Sequence, residues 1–224
     1  MFKHNPLAVA RPPLKCYFPI QNTMGGERSS LSKLIVIEHL TLDGVMQGPG
    51  RPDEDTRGGF THGGWGALHN DPAMMTAQAE QIGKTWSLLL GRRTYEDFAG
   101  FWPRQPQPNP FTDALNRVQK YVASTTLEEP LTWENTSLLR EDAATSVARL
   151  KQERDDTLII FGSGVLVQPL ARASLIDTYL LMIHPIIFGT GHRLFSEGTL
   201  NQTLTLSSST TTPSGVLIAT YTPA

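Results

Sequence analysis

One cysteine in 224 residues, Cys16, leaves no internal disulfide and no cysteine-cluster metal site. It sits among prolines and reads as an incidental thiol rather than a nucleophile. No apolar run approaches the roughly 18–20 residues that cross a bilayer, and prolines interrupt every apolar run before Met24, so neither a membrane span nor a signal peptide is expected. The expected location is the cytoplasm. An excess of one charge is also missing: 19 Lys and Arg against 21 Asp and Glu give a net charge of −2. That balance excludes a nucleic-acid binder working by nonspecific phosphate attraction, which needs a basic surplus. His62 and His69 stand near Asp53, Glu54 and Asp55, but at no spacing that a helix or strand would bring onto one face. They read as polar loop residues, and no metal is expected. The Gly-Lys-Ser/Thr of a P-loop is absent. The run Gly162-Ser163-Gly164-Val165-Leu166-Val167 lacks the third glycine of the dinucleotide fingerprint and lies late in the chain, which argues against an ordinary Rossmann domain.

What the chain does contain suits one large soluble domain, with 39% apolar and 18% charged residues, and 19 glycines and 16 prolines for turns. Residues 1–31 carry Pro6, Pro12, Pro13, Pro19 and Gly25-Gly26 without hydrophobic period, and are expected to be a flexible extension, with Met24 a candidate natural start. The folded domain is expected over 32–224. It opens with a β-branched, nearly continuous apolar strand at 33–40 and then a long polar loop, 47–66, of the kind that is functional or disordered. Asp71 and Pro72 open a helix that ends at Gly83. Strands are expected at 87–90, 120–124, near 131–139 and at 157–161. Helices are expected at 94–99, 111–118, 143–154 and 165–173, with a proline-rich extended loop after Phe101. Residues 175–187, 202–210 and 216–222 read as strands without intervening helices. Strand-helix alternation followed by such strands predicts an α/β fold: a mixed sheet, mostly parallel, with antiparallel C-terminal strands and helices on both faces.

Three strands end in turns that suit an anion: Gly91-Arg92-Arg93-Thr94, Ser124-Thr125-Thr126 and Gly162-Ser163-Gly164. Glycine admits a close ligand, free amides at a helix start favour negative charge, and arginine grips phosphate with parallel hydrogen bonds. In a parallel sheet these ends share one edge, and the paired arginines suit the 2′-phosphate of NADPH.

With these residues in place, the chain resembles the dihydrofolate reductase-like fold, and more closely the branch holding the C-terminal reductase domain of the bacterial riboflavin-biosynthesis protein RibD and its stand-alone relatives. The resemblance spans about 33–222 and rests on Thr41-Leu42-Asp43-Gly44, Leu90-Gly91-Arg92-Arg93-Thr94-Tyr95, Phe161-Gly162-Ser163-Gly164 and His184-Pro185-Ile186-Ile187-Phe188-Gly189-Thr190-Gly191. It implies NADPH as cofactor, with Gly91, Arg92, Arg93, Thr94, Ser124 and Thr125 at its adenosine half and Phe161, Gly162, Ser163, Gly164 and Val165 at its pyrophosphate. It places Leu42, Asp43 and Gly44 beside nicotinamide and substrate, with Asp43 as proton donor or orienting group, and it implies a homodimer. Trp65 and Trp102, with Phe98 and Phe101, are expected to wall a substrate site under the 47–66 loop. In one respect the chain departs from true dihydrofolate reductases: Met75 stands where they carry the pterin-binding carboxylate.

The expected activity is NADPH-dependent hydride transfer to a small, flat heterocycle of pterin or pyrimidine type. A catalytically silent nucleotide-binding or sensing protein on the same fold is the alternative. An interaction protein using its C-terminal strands is a third class.

Overall fold

In the computed structural model, residues 31–195, 198 and 201–224 are described. The extension expected at 1–31 therefore lies almost wholly outside the described residues, together with Cys16 and Met24. One eight-stranded sheet organises the rest: β1 (Leu34–Thr41), β2 (Trp86–Gly91), β3 (Lys120–Ala123), β4 (Thr136–Leu139), β5 (Thr157–Phe161), β6 (Thr178–His184), β7 (Leu204–Thr211) and β8 (Leu217–Pro223). Their spatial order is β4-β3-β2-β5-β1-β6-β8-β7. The six strands from β4 to β6 run parallel, and β8 is antiparallel to both of its neighbours, β6 and β7.

The helices are α1 (Pro72–Ile82), α2 (Arg92–Phe101), α3 (Pro110–Arg117), α4 (Ala143–Glu153) and α5 (Gly164–Arg172). They cover both faces, which is why the central strands are apolar throughout rather than alternating. Successive side chains of β1 serve opposite sides. Leu34, Val36 and Leu40 join a core with Val147 and Leu150 of α4 and Leu166, Val167 and Leu170 of α5. Ile35 and Ile37 pack with Met74 and Ile82 of α1. The edge strand β7 is instead a run of exposed Ser and Thr with a register shift between Leu206 and Ser208, features that blunt an open edge.

Several local expectations are corrected. The loop after Phe101 is not extended at its start: α2 runs to Phe101, and Trp102–Arg104 forms a further 3-10 turn in which the ring of Trp102 packs on Phe98, Phe101 and Phe111. Aromatic packing there outweighs the proline signal. Of 131–139 only Thr136–Leu139 is strand. The 47–66 loop contains two short 3-10 turns, Arg57–Gly59 and Trp65–His69.

Candidate active site

Sheet order sets the sequence motifs side by side. Along the C-terminal edge of the parallel strands lie residues 124–126 after β3, 91–94 after β2, 161–165 after β5, 42–44 after β1 and 185–191 after β6. The first three turns are joined directly. The Ser163 Oγ accepts a hydrogen bond from the Gly91 N–H at 3.0 Å. Arg92 donates from Nη1 to the Thr126 Oγ1 and from Nε to the Glu96 Oε1, both at 2.8 Å, which holds its guanidinium between α2 and the turn after β3. The Ser124 Oγ accepts from the N–H groups of Thr126 and Leu127, so that turn is closed by its own side chain. Thr125 stands exposed at its tip, as does Arg93 at the start of α2.

The turn after β5 takes an uncommon backbone route. Gly162 has φ 66°, and Ser163 follows with φ 61° and ψ 37°, a left-handed conformation that costs a non-glycine residue about 1 kcal/mol or more. Gly164 then lies so close to Met46 that a Cβ would fall 2.4 Å from its Sδ. Thr94 lines the other side, 3.4 Å from where a Cβ of Gly162 would stand.

Helix capping distinguishes this edge from the rest of the molecule. Asp71 caps α1, Asn109 caps α3 and Asp142 caps α4, each accepting from a first-turn amide. The two helices that start at the joined turns, α2 and α5, have no side-chain cap. No side chain competes for their first-turn N–H groups, although the Leu166 N–H of α5 already donates to the Ser163 carbonyl, and the positive end of each helix lies behind them. Val165, at the opening of α5, is 80% exposed. Uncapped helix starts, small residues and an oriented arginine together fit a diphosphate-containing nucleotide.

Asp43, expected as a proton donor or orienting group, is held from several sides. Its Oδ1 accepts from the Thr41 hydroxyl and the Phe188 N–H, and its Oδ2 from the Gly189 N–H and from Arg193. Burial pushes its carboxyl upward, but the hydrogen bonds from Thr41, Gly189 and Phe188 outweigh that and hold it at about 2. Asp43 is therefore an ionised brace joining the turn after β1 to the turn after β6, and a poor proton donor. Leu42, 64% exposed, and Gly44, with a φ of 82°, form the open part of that turn.

The two tryptophans expected to form one wall belong to separate clusters. Trp65 is buried with Val45 and Phe60, beside Phe188, and its Nε1 donates to the Gln47 carbonyl. Trp102 packs with Phe98, Phe111 and neighbouring core residues, and Phe161 joins the same cluster edge-on to Phe111. His62 stacks on Phe188, and among the described residues no group of three or more His, Cys, Asp or Glu could hold a metal.

Sequence reasoning missed three residues near this edge. His39 of β1 and His184 of β6 share one hydrogen bond, Nδ1 to Nε2 at 2.9 Å, with His69 and Trp65 against the His184 ring. Burial lowers both to about 4, and each is neutral at pH 7. Glu38, the neighbour of His39 on β1 and the register partner of Leu181 on β6, is 3% exposed. The available signal was a charge and a histidine inside an apolar strand.

Comparisons with known proteins agree with this architecture. The model of the RibD C-terminal domain family matches residues 32–218, and the chain belongs to that family. The chain is 25% identical over 141 residues to YyaP of Bacillus subtilis (strain 168), an uncharacterized protein, covering 60% of this chain and 72% of YyaP. In structure it is similar to a pyrimidine reductase-like protein of Corynebacterium diphtheriae, with a TM-score of 0.57 at 10% identity over 86% of this chain and 92% of that one. It is also similar to dihydrofolate reductase of Enterococcus faecalis in complex with NADP(H), with a TM-score of 0.54 at 16% identity over 88% and 97%. The sheet is thus of the dihydrofolate reductase-like kind. Among the described residues no helix is long and apolar enough to cross a membrane.

Proposed function

We propose that the protein is an NADPH-dependent reductase acting on a small heterocycle of pyrimidine or pterin type. The observation that carries this reading is the pairing of two uncapped helix starts, α2 and α5, through the bond between Ser163 and Gly91. Membership of a reductase-domain family and the likeness to a dihydrofolate reductase that holds NADP(H) support it.

In this reading the amides opening α5, with Gly162 and Ser163, receive the pyrophosphate, and Arg92, Arg93, Ser124 and Thr125 take the adenosine end. Thr126 belongs with them because it fixes Arg92. Leu42 and Gly44 flank the reacting rings, and the Asp43 brace fixes where that turn stands. When bound, NADPH supplies a hydride; the chain positions both rings and excludes water from them. Calorimetric titration with NADPH and NADH tests the proposal: micromolar binding of NADPH with discrimination against NADH is expected, and binding of neither overturns it. NADPH binding without oxidation by any member of a pyrimidine and pterin panel would favour the silent nucleotide-binding alternative.

A further inference from the structure

Helix α4 buries four side chains, Ser146, Val147, Leu150 and Lys151. Val147 and Leu150 join the core cluster that also holds Tyr121 of β3, and the Lys151 ammonium is answered by the Leu175 carbonyl and the Asp177 carboxylate. Ser146 differs. It is 2% exposed, yet its Oγ has no hydrogen-bond partner among the described residues. A serine inside a helix can turn its hydroxyl back to the carbonyl one turn earlier. Here the Asp142 carbonyl accepts from the Ser146 N–H, and the hydroxyl stays unspent.

Ser146 lines a cleft of about 260 Å³ between α4 and the outer strands β3 and β4. Tyr121 and Leu139 form its strand side, Ser146 and Leu150 its helix side, and Arg149, Glu153 and Arg154 its polar rim. None of these residues belongs to the turns at the C-terminal edge of the sheet. The rim calls for no added charge. Arg154 donates from Nε and Nη2 to the Asp156 carboxylate, and Arg149 lies between Glu141 at 3.0 Å and Glu153 at 4.0 Å. Each guanidinium already faces a carboxylate, so an incoming anion would compete with those acids and an incoming cation with the arginines. The apolar surface of Tyr121, Leu139 and Leu150 suits a neutral ring instead. Size agrees, since a cavity of roughly 150 Å³ holds benzene. A buried hydroxyl without partners lacks both an acceptor for its proton and a donor for its lone pairs, and a carboxamide supplies both from one edge.

We propose that this cleft is a second binding site, taking a neutral single-ring aromatic amide whose carboxamide meets Ser146. The ring packs on Tyr121, Leu139 and Leu150, its carbonyl accepts the hydroxyl proton, and its N–H donates to Oγ. The site stands apart from the reductase reading, because the two share no residue.

Benzamide and toluene are the probes, the second keeping the ring without the amide. Nitrogen-15 amide spectra of wild type and Ser146→Ala are titrated with each, with and without NADPH. Wild type is expected to bind benzamide with a dissociation constant of about 1 mM or tighter, with NADPH present or absent. The largest shifts are expected at Tyr121, Leu139 and residues 146–154. Ser146→Ala is expected to bind benzamide about fivefold to tenfold more weakly while its toluene affinity stays within about twofold. Because the hydroxyl has no internal partner and alanine is the better helix former, the melting temperature of Ser146→Ala should equal or exceed that of wild type. Failure of wild type to bind benzamide, equal benzamide binding by both proteins, or an equal loss for toluene would each overturn the assignment. So would displacement of benzamide by NADPH, shifts confined to the C-terminal edge of the sheet, or a lower melting temperature in Ser146→Ala, which would reveal an internal partner for the hydroxyl.

Discussion

The Ser163 hydroxyl accepts from the Gly91 amide at 3.0 Å, and this one bond couples the turn after β5 to the turn after β2. Without it, each helix start would present its amides independently. Ser163→Ala removes the acceptor and keeps the left-handed backbone, so it is expected to cost about 1 kcal/mol of stability and a severalfold loss of NADPH affinity. Ser163→Gly loses the same bond but relieves the backbone, so its melting temperature should fall less than that of Ser163→Ala at equal loss of affinity. Thermal melts and NADPH titrations of the two variants separate strain from coupling. Equal affinities in wild type and both variants would show that the coupling does not serve the nucleotide.

Arg92 is held from two sides, by Glu96 one turn along α2 and by Thr126 across the edge. The pair with Glu96 is exposed and contributes little to stability. Its consequence is orientation. Arg92→Ala is expected to reduce NADPH affinity by about tenfold to a hundredfold, the range for charge-assisted hydrogen bonds, and to leave NADH affinity and melting temperature nearly unchanged. The ratio of the two affinities measures the effect. If Arg92→Ala combined with Arg93→Ala left that ratio intact, the 2′-phosphate would have to lie elsewhere.

Asp43 makes a prediction about acid. Its carboxyl is lowered to about 2 in the folded protein, from an ordinary value near 4 when unfolded. The unfolded chain therefore takes up the proton first, and the brace contributes stability that is complete above about pH 4 and is lost as the pH falls toward about 2. Asp43→Asn should melt lower than wild type at pH 6, and the gap should close between pH 4 and pH 2. A gap that stayed constant over that interval would mean that the hydrogen bonds to Asp43 do not lower its carboxyl.

The fold was largely legible because its signals are local and repeated: apolar β-branched runs, a cap with proline at the start of α1, and turns ending in glycine or serine. The site was legible as separate turns, since each carries its own chemistry in three or four residues. How the turns connect was not, because Ser163 meeting Gly91 and Arg92 meeting Thr126 are contacts set by sheet order. The bracing of Asp43 was hidden for a related reason. A carboxylate in a tight turn looks free in sequence, and its partners at Phe188 and Gly189 lie about 145 residues along the chain. Trp65 and Trp102 looked like one aromatic wall because composition does not say which face of the sheet or which loop an aromatic residue joins.

His39 and His184 face each other with one proton between the two nitrogens at 2.9 Å, so one ring donates and the other accepts. Burial lowers both from 6.5 to about 4, and for His184 the neighbouring His39 and His69 add to the effect. The sign follows directly. Between pH 6.5 and about 4 the unfolded chain binds protons that the folded pair refuses, so stability falls as the pH drops through that window and levels off below it with respect to these two groups. His184→Leu removes one of the two and also the charge that would oppose protonation of His39. Its stability should therefore depend less steeply on pH from 6.5 to 4 than that of wild type, whatever its absolute value. Chemical denaturation at a series of pH values gives both slopes, and nitrogen-15 spectra of the wild-type imidazoles should show the pair neutral at pH 6, with one nitrogen of each ring carrying a proton. A wild-type slope no steeper than that of the variant would place the two histidines in a wetter setting than their burial indicates, and would leave them free to exchange protons with a ligand at the β1 edge.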